Sequence, residues 1–336
     1  MNNTKWVLKA RPSGGVAATD LELVDDAIRS PGQGEILVRN IYLSLDPTNR
    51  LWMSDRDQYL APVGLGSVMR GITVGVVEQS RSERFASGDV VSLAEGGWQA
   101  FSTVSEKMAT RILRLDGVPL SAYLSVLGPT GYTAYFGIED ICRPMAGEVV
   151  VVSAAAGAVG SVAGQLAKLR GARVFGVAGG AAKCGWLLDE LGFDAAINYR
   201  SEAVGERLDT LCAAGIDVNF ENVGGPIMEA VFSRMRENGR MALCGMISAY
   251  NNDGPMAGPS DFGRILMKRL LVRGFVVIDY VRRFKEAQAE LSRLVAEGRL
   301  VWKDHVVDGL GSAVSALDIL FSGANNGKLI VRVSDG

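Results

Sequence analysis

Small residues fill a short segment in which backbone groups could hold a phosphate. Residues 148–161 read EVVVVSAAAGAVGS, so a run of valines gives way to alanines and glycines before a helical pattern starts. A strand, a tight turn and a helix start in this order bring backbone N–H groups against a pyrophosphate. Gly157 would allow that approach and Gly160 would allow close helix–strand packing, whereas Ala155 stands at the usual first glycine. The segment predicts a dinucleotide site.

The second predicted strand distinguishes between the two common nicotinamide dinucleotides. Residues 172–180 read ARVFGVAGG and end in small residues, where an NAD site would place Asp or Glu on the ribose 2′-hydroxyl. Lys183 follows on the next helix, and Arg200 follows the third predicted strand. Two cations near a helix N-terminus suit a dianionic phosphate, although both could equally be solvated surface charges. The missing carboxylate therefore predicts NADP(H).

Length and composition exclude several other classes of protein. A chain of 336 residues suggests two domains, and 48% hydrophobic residues with 41 glycines are typical of a compact α/β protein. The net charge is −2 without a block of Lys or Arg, so neither nucleic acid nor a membrane surface is an expected partner. The sequence contains neither a membrane-spanning apolar run nor a signal-peptide core, which predicts a cytoplasmic location.

Cysteine and histidine usage gives no indication of a metal site. The cysteines, at positions 142, 184, 212 and 244, have no CxxC spacing and are expected to be buried thiols in a reducing compartment. His305 is the only histidine and is expected to be a structural or surface residue. Neither a Ser-His-Asp triad nor a zinc site is therefore predicted.

The first part of the chain alternates apolar and polar residues in short segments separated by turns. This pattern predicts a β-rich, barrel-like domain over residues 1–122. The tail, residues 300–336, returns to short strand-like pieces and would complete the same domain. Predicted strands in the first part are 35–42, 72–78 and 89–93.

Residues 123–299 repeat a strand followed by a helix, which is typical of a doubly wound parallel sheet. The last helix is predicted over residues 283–297, where charged and apolar residues interleave at helical spacing. The expected fold class is therefore α/β, with a dinucleotide-binding domain and a second, β-rich domain. Predicted strands in the parallel sheet are 149–153, 173–177, 195–199, 217–221, 240–244 and 272–278.

An ordered series of motifs runs through the chain: Leu45-Asp46-Pro47 with Arg50, GYTAYFG at 131–137, residues 154–161, Asn222-Val223-Gly224-Gly225, CGMIS at 244–248 with Tyr250 and Asn251, and Gly327-Lys328. The series resembles the zinc-independent branch of the medium-chain dehydrogenase/reductase family, which contains prostaglandin, alkenal double-bond and curcumin reductases. The resemblance implies a GroES-like catalytic domain and a Rossmann domain, usually in a homodimer. It also implies NADPH-dependent reduction of the C=C bond of α,β-unsaturated ketones and aldehydes.

The resemblance further implies cofactor contacts at individual positions of this chain. The matching positions are Gly157, Ala158 and Val159 along the pyrophosphate, Lys183 and Tyr199 at the adenosine 2′-phosphate, Asn222 near the nicotinamide-side sugar, Cys244, Gly245, Ile247 and Ser248 over the cofactor, Phe275, Val276 and Val277 beside the nicotinamide, and Asn325 at a further contact.

Tyr250 is the candidate catalytic residue. Direct reduction of a carbonyl needs a Lewis acid on the oxygen, but hydride addition to the β-carbon of an enone leaves a delocalised enolate. Hydrogen bonds can stabilise that enolate, and a phenol with a pKa near 10 stays protonated and donates at neutral pH. The alternative is that Tyr250 packs beside the cofactor without a chemical role.

One motif departs from the family pattern. Family members generally read Asp-Pro-Tyr-Met-Arg where this chain has Asp46-Pro47-Thr48-Asn49-Arg50. The family tyrosine faces the substrate, so Thr48 is expected to widen the substrate pocket or to change its polarity. Residues 56–69 are expected to form mainly a surface loop, with Tyr59 as an aromatic wall of that pocket.

Two other functions stay open at this stage, because fold does not dictate function. The first is quinone reduction on the same scaffold; alcohol dehydrogenation is disfavoured by the lack of zinc ligands. The second is a redox sensor that binds NADPH without turnover. A panel of enones, alkenals, quinones and saturated alcohols separates these functions.

Overall fold

The computed structural model describes residues 2–252 and 254–335. These residues form two compact units. The first unit contains residues 2–124, 250–252 and 304–335, and the second contains Ser125–Ala249 and Gly254–Lys303. Residues 1 and 336, at the outer ends of the first predicted domain, lie outside the described residues.

The N-terminal part of the first unit consists of strands, short loops and one short helix. Short 3-10 helices cover Ala18–Asp20, Glu106–Met108 and Leu120–Leu124. The strands are β1 (Asn2–Leu8), β2 (Leu21–Ala27), β3 (Glu35–Ser44), β4 (Thr73–Ser80), β5 (Val90–Leu93), β6 (Phe101–Ser105) and β7 (Ala109–Arg111), with α1 (Thr48–Trp52) after β3.

Strands and helices alternate through the second unit. It begins with α2 (Pro129–Phe136), which continues as a π-helix over Gly137–Cys142. The strands are β8 (Val149–Ser153), β9 (Arg173–Ala178), β10 (Ala195–Asn198), β11 (Ile216–Glu221), β12 (Met235–Leu243) and β13 (Leu271–Gly274). The helices are α3 (Ala158–Leu169), α4 (Ala181–Asp189), α5 (Val204–Leu211), α6 (Gly225–Phe232), α7 (Arg264–Met267) and α8 (Phe284–Ala296), with 3-10 helices over Ile247–Ala249 and Val277–Arg283.

The C-terminal part of the first unit contains a helix that the sequence pattern did not predict. β14 (Asp304–Asp308) is followed by a 3-10 helix (Leu310–Ser312), α9 (Ala313–Phe321) and β15 (Lys328–Arg332). The expectation of strand-like pieces alone was therefore wrong. The residues that α9 buries recur at the helical positions i, i+1, i+3 and i+4 and are Ala313, Val314, Ala316 and Leu317.

The strands of the second unit form one parallel sheet in the order β10-β9-β8-β11-β12-β13. All five residues of the central strand β8 are buried, which is why it reads as an unbroken apolar run. The strand order reverses between β8 and β11. Ligands of doubly wound sheets bind beyond the carboxyl ends of the strands at such a reversal. The predicted Rossmann fold is confirmed.

The first unit is dominated by antiparallel pairing. A seven-stranded sheet runs β14-β15-β3-β4-β5-β7, with β6 paired to β3, and β1 and β2 form a separate two-stranded sheet. Only β14 and β15 pair in parallel within the described sheet. The β-rich character predicted for this part of the chain is confirmed, and its core includes Leu43, Trp98 and Leu329.

Predicted and observed strand ends differ where side chains leave the parallel sheet. β10 ends at Asn198 and β12 ends at Leu243, so Tyr199 and Cys244 lie just beyond their strands. The strand predicted over residues 272–278 is present as β13, but its predicted end was wrong, because β13 ends at Gly274. Phe275 instead places its ring edge-on to Phe220, 6.3 Å between centroids, and a 3-10 helix follows.

Within 2–252 and 254–335, no helix is long and apolar enough to cross a membrane.

Gly164→Ala should destabilise the protein because α3 packs closely on Phe193. A Cβ at residue 164 would lie 1.9 Å from Cζ of Phe193, so the ring must move, at a cost of about 1–3 kcal/mol. We expect a lower midpoint of thermal unfolding by circular dichroism. The matched control is Gly185→Ala in α4, whose nearest atom would lie at 3.6 Å. Because alanine favours helix, an unchanged or raised midpoint is expected for the control. Equal midpoints for the two variants would contradict the packing argument.

Candidate functional site

The turn between β8 and α3 is shaped to approach a phosphate. Ala154 adopts a left-handed conformation with φ of 47°, and the amide of Gly157 donates to its carbonyl at 2.9 Å. A Cβ at Gly160 would lie 2.5 Å from that same carbonyl oxygen, so residue 160 must be glycine. No side chain caps the first turn of α3, so its N–H groups remain for an anion. These features fit a dinucleotide pyrophosphate.

The left-handed residue was missed in the sequence. The sequence pattern indicates Ala155, which stands at the usual first glycine position, whereas the strained backbone is at Ala154. An alanine at positive φ costs energy and occurs where neighbouring structure imposes it. Here the amide of Ala155 donates to the carbonyl of Val177 at 3.0 Å, which ties the turn to β9. No local sequence signal marks this residue.

A phenol and a cation meet just after β9, and the charge of Lys183 interacts with that cation. A Cβ at Gly179 would lie 2.8 Å from Oη of Tyr199 and 3.0 Å from Nε of Arg200, so only glycine lets both side chains cross this position. Lys183 lies in the first turns of α4. Burial lowers the pKa of its ammonium group, and the positive charge of Arg200 lowers it further. Placing two like charges together is unfavourable unless an anion offsets them, and a 2′-phosphate would do so.

Asn198 is the residue that orders this corner. Its Oδ1 accepts from the amide of Gly180 at 2.8 Å and from the amide of Arg200 at 3.2 Å. The loops after β9 and β10 are thereby joined. Sequence analysis did not select Asn198; an asparagine at the end of an apolar strand was the available signal.

The loops after β8 and β11 are joined by Asn222. Its side-chain amide donates to the carbonyl of Ser153 at 2.7 Å, and its backbone amide donates to Oγ of Ser153 at 2.8 Å. The carbonyl of Asn222 accepts from the amide of Ile247 at 3.2 Å. Asn222 is therefore held at the point where the strand order reverses.

The loop after β12 is held against the same region. The amides of Cys244 and Gly245 donate to the carbonyl of Glu221 at 2.9 and 3.1 Å. Ser248 donates from its amide and from Oγ to the carbonyl of Val223, at 3.0 and 2.6 Å. Burial raises the pKa of the Cys244 thiol to about 12, with a smaller effect from Glu221, so this cysteine is a neutral thiol.

Phe275, Val276 and Val277 follow β13. The amide of Phe275 donates to the carbonyl of Leu243 at 3.4 Å, and its ring meets those of Phe220 and Tyr280 edge-on. The remaining part of this segment enters a 3-10 helix at Val277. The structure thus places Phe275 beside the ends of β11 and β12, and Val276 and Val277 follow it in the chain.

In the first unit, Thr48 and Tyr59 form a pair. Thr48 begins α1, and its side chain is hydrogen bonded to the Tyr59 phenol, whose pKa is raised by burial of the hydroxyl. Tyr59 as a whole residue is 40% exposed. The structure thus brings together the two residues that were predicted to line the substrate pocket.

Lys328 anchors the turn that carries Thr48. Its buried ammonium group donates to the carbonyl of Leu45 at 2.6 Å and to Oδ1 of Asp46 at 2.8 Å. Asp46 also accepts from Oγ of Ser44 at 2.5 Å. Lys328 was noted only as part of a motif, and its contacts could not be read from the sequence.

The last two predicted residues are buried in the same unit. Tyr250 is 7% exposed, and so is Asn325, whose amide donates to the carbonyl of Gly327 at 2.9 Å. His305 lies in β14 opposite Leu329. Among the residues that the structure describes, no group of three His, Cys, Asp or Glu side chains could hold a metal ion.

Comparisons with known proteins agree with this architecture. Residues 4–112 match the model of the N-terminal domain of oxidoreductase, and residues 158–295 match that of zinc-binding dehydrogenase. The chain is 39% identical to the NADPH-dependent curcumin reductase of Escherichia coli strain K12, covering 99% of this chain and 97% of that protein. It is 37% identical to the NADP⁺-dependent 2-alkenal reductase of Nicotiana tabacum, covering 99% and 98% of the two chains.

A solved structure matches over the same length. CurA from Vibrio vulnificus in complex with NADPH is 40% identical, with a TM-score of 0.94 that covers 99% of this chain and all of that one (100%). The chain therefore belongs to the medium-chain dehydrogenase/reductase family, in the zinc-independent branch of the curcumin, alkenal and prostaglandin reductases.

Proposed function

We propose that the protein reduces the C=C bond of α,β-unsaturated ketones and aldehydes with NADPH, by hydride transfer to the β-carbon without a metal. Full-length similarity to NADPH-dependent reductases of such compounds carries the assignment of the reaction. The meeting of Tyr199 and Arg200 at Gly179, with Lys183 close enough to Arg200 for the two charges to interact, independently supports NADPH over NADH.

The cofactor would lie along the carboxyl ends of the parallel strands. Its pyrophosphate would rest on the first turn of α3, where no side chain competes for the N–H groups. The 2′-phosphate would meet Lys183, Tyr199 and Arg200. We assign the nicotinamide half to the loops after β11, β12 and β13, with the contacts Asn222, Cys244, Gly245, Ile247, Ser248, Phe275, Val276 and Val277, and we assign a further contact to Asn325.

NADPH supplies the hydride when bound, and the protein must stabilise the charge that develops on the substrate. We assign Tyr250 as the hydrogen-bond donor to the carbonyl oxygen, which becomes an enolate oxygen during the reaction. A donor aimed at that oxygen lowers the barrier because it stabilises the developing negative charge. Since that charge is delocalised over the enolate, a hydrogen bond can stabilise it without a metal. Thr48 and Tyr59 would line the substrate, with the Thr48 side chain hydrogen bonded to the phenol.

The activity predicts a specific pattern across acceptors. When purified protein is mixed with NADPH and an enone or alkenal, the absorbance of NADPH at 340 nm should fall. The product should be the saturated carbonyl compound. Mass spectrometry of the product distinguishes reduction of the C=C bond from reduction of the carbonyl. Turnover with a quinone alone would move the protein to the quinone reductases, and NADPH binding without any turnover would make it a sensor.

Tyr250→Phe should lower kcat by about 100-fold to 1,000-fold, because one oxyanion donor is worth about 2.7–4 kcal/mol. The dissociation constant for NADPH should stay within about threefold. The control is Tyr123→Phe, which removes another buried hydroxyl from the first unit; that hydroxyl donates to the carbonyl of Leu113 at 3.0 Å. The control should lose stability and keep kcat. Unchanged kcat in Tyr250→Phe would show that this residue only packs.

Lys183→Ala should weaken NADPH binding by about 10-fold to 100-fold and leave NADH binding unchanged, since only NADPH carries the 2′-phosphate.

The NADPH preference should also depend on pH. Burial and the charge of Arg200 hold the pKa of Lys183 below its usual value near 10.4. The ammonium form that binds the phosphate is therefore lost as the pH rises through that lowered pKa. The NADPH preference should therefore fall with rising pH. Titrations followed by NADPH fluorescence measure both effects. Lys183→Arg should keep the preference at high pH, and an equal loss for both dinucleotides in Lys183→Ala would contradict the assignment.

We also propose a homodimer in which the two copies pair at β13. This strand is at one edge of the parallel sheet, so one side of its backbone has no strand neighbour among the described residues. Large exposed side chains occur in and before it: Phe262, Leu266, Met267 and Leu271 are 71, 73, 67 and 48% exposed. An open edge can pair with a second copy of itself across a two-fold axis, which buries such side chains.

Leu266→Glu should shift the protein from dimer to monomer, because the charge would have to be buried at the pairing surface. Sedimentation at micromolar concentration should give twice the chain mass of 35.8 kDa for the wild type and that single mass for the variant. Leu113→Glu is the matched control, since Leu113 is 74% exposed in the first unit. It should remain dimeric. A monomeric wild type would overturn the proposal.

We further propose a cytoplasmic location. All four cysteines are described by the structure and are free thiols, which suits a reducing compartment. Cell fractionation with activity assays would check this location.

A further inference from the structure

A fully buried carboxylate lies at the end of β11, and the proposed contacts to cofactor and substrate do not include it. Glu221 has no exposed surface. Its Oε1 accepts from Oγ of Ser153 at 2.9 Å and from the amides of Val223 and Gly224 at 2.8 Å each. Its Oε2 accepts from the side-chain amide of Asn219 at 3.1 Å. A buried carboxylate needs hydrogen-bond donors, so the Glu221 carboxylate holds these donors in one arrangement.

These hydrogen bonds connect the end of β8 with two loops through one residue. Ser153 ends β8, Val223 and Gly224 form the loop after β11, and the backbone carbonyl of Glu221 accepts from the first two residues of the loop after β12. Ser153 in turn accepts from Asn222, through both Oγ and its carbonyl. The side chain and the backbone of Glu221 therefore contact the end of β8 and the loops after β11 and β12.

The backbone of the β11 loop needs this support. Gly224 and Gly225 both have positive φ, of 77° and 55°. Because both residues are glycines, neither has a side chain that could hold the turn. A Cβ at Gly224 would lie 3.2 Å from Cβ of Met246 and 3.3 Å from Oγ of Ser248. The β11 and β12 loops thus touch through backbone and small groups, and the carboxylate orients the amides on one side of that contact.

We propose that Glu221 is a positioning residue that holds the loops after β11 and β12 against the end of β8, in the arrangement of those two loops that binds the nicotinamide half of NADPH. This inference rests on the proposed function, which assigns those loops to the nicotinamide half. The adenosine half is held elsewhere, by the corner of Gly179, Lys183 and Tyr199. Removal of the carboxylate should therefore affect the two halves of the cofactor unequally.

The test compares NADPH with adenosine 2′,5′-bisphosphate, which carries the 2′-phosphate but lacks the nicotinamide half. Glu221→Met keeps the size of the side chain and removes both acceptor oxygens. NADPH affinity should fall by about 10-fold to 100-fold, whereas affinity for the fragment should stay within about twofold. Calorimetry on the full-length protein measures both constants without turnover.

Glu221→Gln tests the role of the acceptor oxygen. The glutamine oxygen can take the place of Oε1, where three of the four donors converge. Its amide can donate to Oδ1 of Asn219, a buried oxygen without a hydrogen-bond partner among the described residues. This variant should therefore recover most of the NADPH affinity lost in Glu221→Met.

Gln165→Leu controls for general destabilisation of the second unit. Gln165 is a buried polar residue of α3, and its side chain donates to and accepts from the backbone of Val301 at 2.8 Å each. Its loss should lower the unfolding midpoint and leave the ratio of NADPH to fragment affinity unchanged. If Glu221→Met does not fold, Ser153→Ala removes one donor to Glu221 and one acceptor for Asn222, and the same selective loss is expected.

Equal weakening of both ligands, or no weakening of either, would overturn the positioning role while leaving the proposed function intact. A wild-type protein that binds neither NADPH nor the fragment would overturn both proposals together. Selective loss of NADPH affinity with recovery in Glu221→Gln supports the inference.

Discussion

Four neutral donors converge on the carboxylate of Glu221, at the point where the order of the parallel strands reverses. Burial alone disfavours a charge there, and it raises the pKa of Glu221 even though the hydrogen bonds lower it. A carboxylate kept in that place must be surrounded by donors, and these come from β8, β11 and the loop after β11. The arrangement of the surrounding loops therefore depends on supplying hydrogen-bond donors to Glu221.

Steric constraints shape the other half of the same sheet. The turn after β8 holds an alanine in a left-handed conformation and leaves no space for a Cβ at Gly160. At the end of β9, Gly179 leaves space for a phenol and a guanidinium group to cross. Small residues therefore serve two purposes, since Gly160 admits a close backbone contact and Gly179 admits two polar side chains. Both purposes suit a phosphate-bearing ligand.

The first unit uses buried cations to hold a turn. Lys328 is 2% exposed and Arg50 is fully buried, and each donates to backbone carbonyls at the ends of neighbouring segments. Removing a charge from water is costly unless its hydrogen bonds are satisfied. The turn at Asp46, which accepts from Lys328, is thereby held firmly in front of α1. These hydrogen bonds hold the start of α1 in place, although Thr48 departs from the family pattern.

Much of the architecture followed from local patterns. The valine run of β8, the glycine-rich turn and the repeated strand–helix units identified the Rossmann fold, because backbone preference and periodicity involve residues that are near each other in the chain. The helix α9 and the end of β13 escaped this approach. In α9 the helical face is short, and after Gly274 the chain turns onto distant aromatic rings instead of continuing the strand.

By itself, the sequence determined the fold class, the position of the turn of small residues between β8 and α3, and the absence of an acidic residue after β9. The tertiary structure decided which residues cooperate. Ser153 and Glu221 are 68 positions apart, and Lys328 and Asp46 are 282 apart, yet both pairs are hydrogen bonded. Burial makes such partners necessary, but only the packing of the strands decides which donor reaches which acceptor, and no local pattern encodes that pairing.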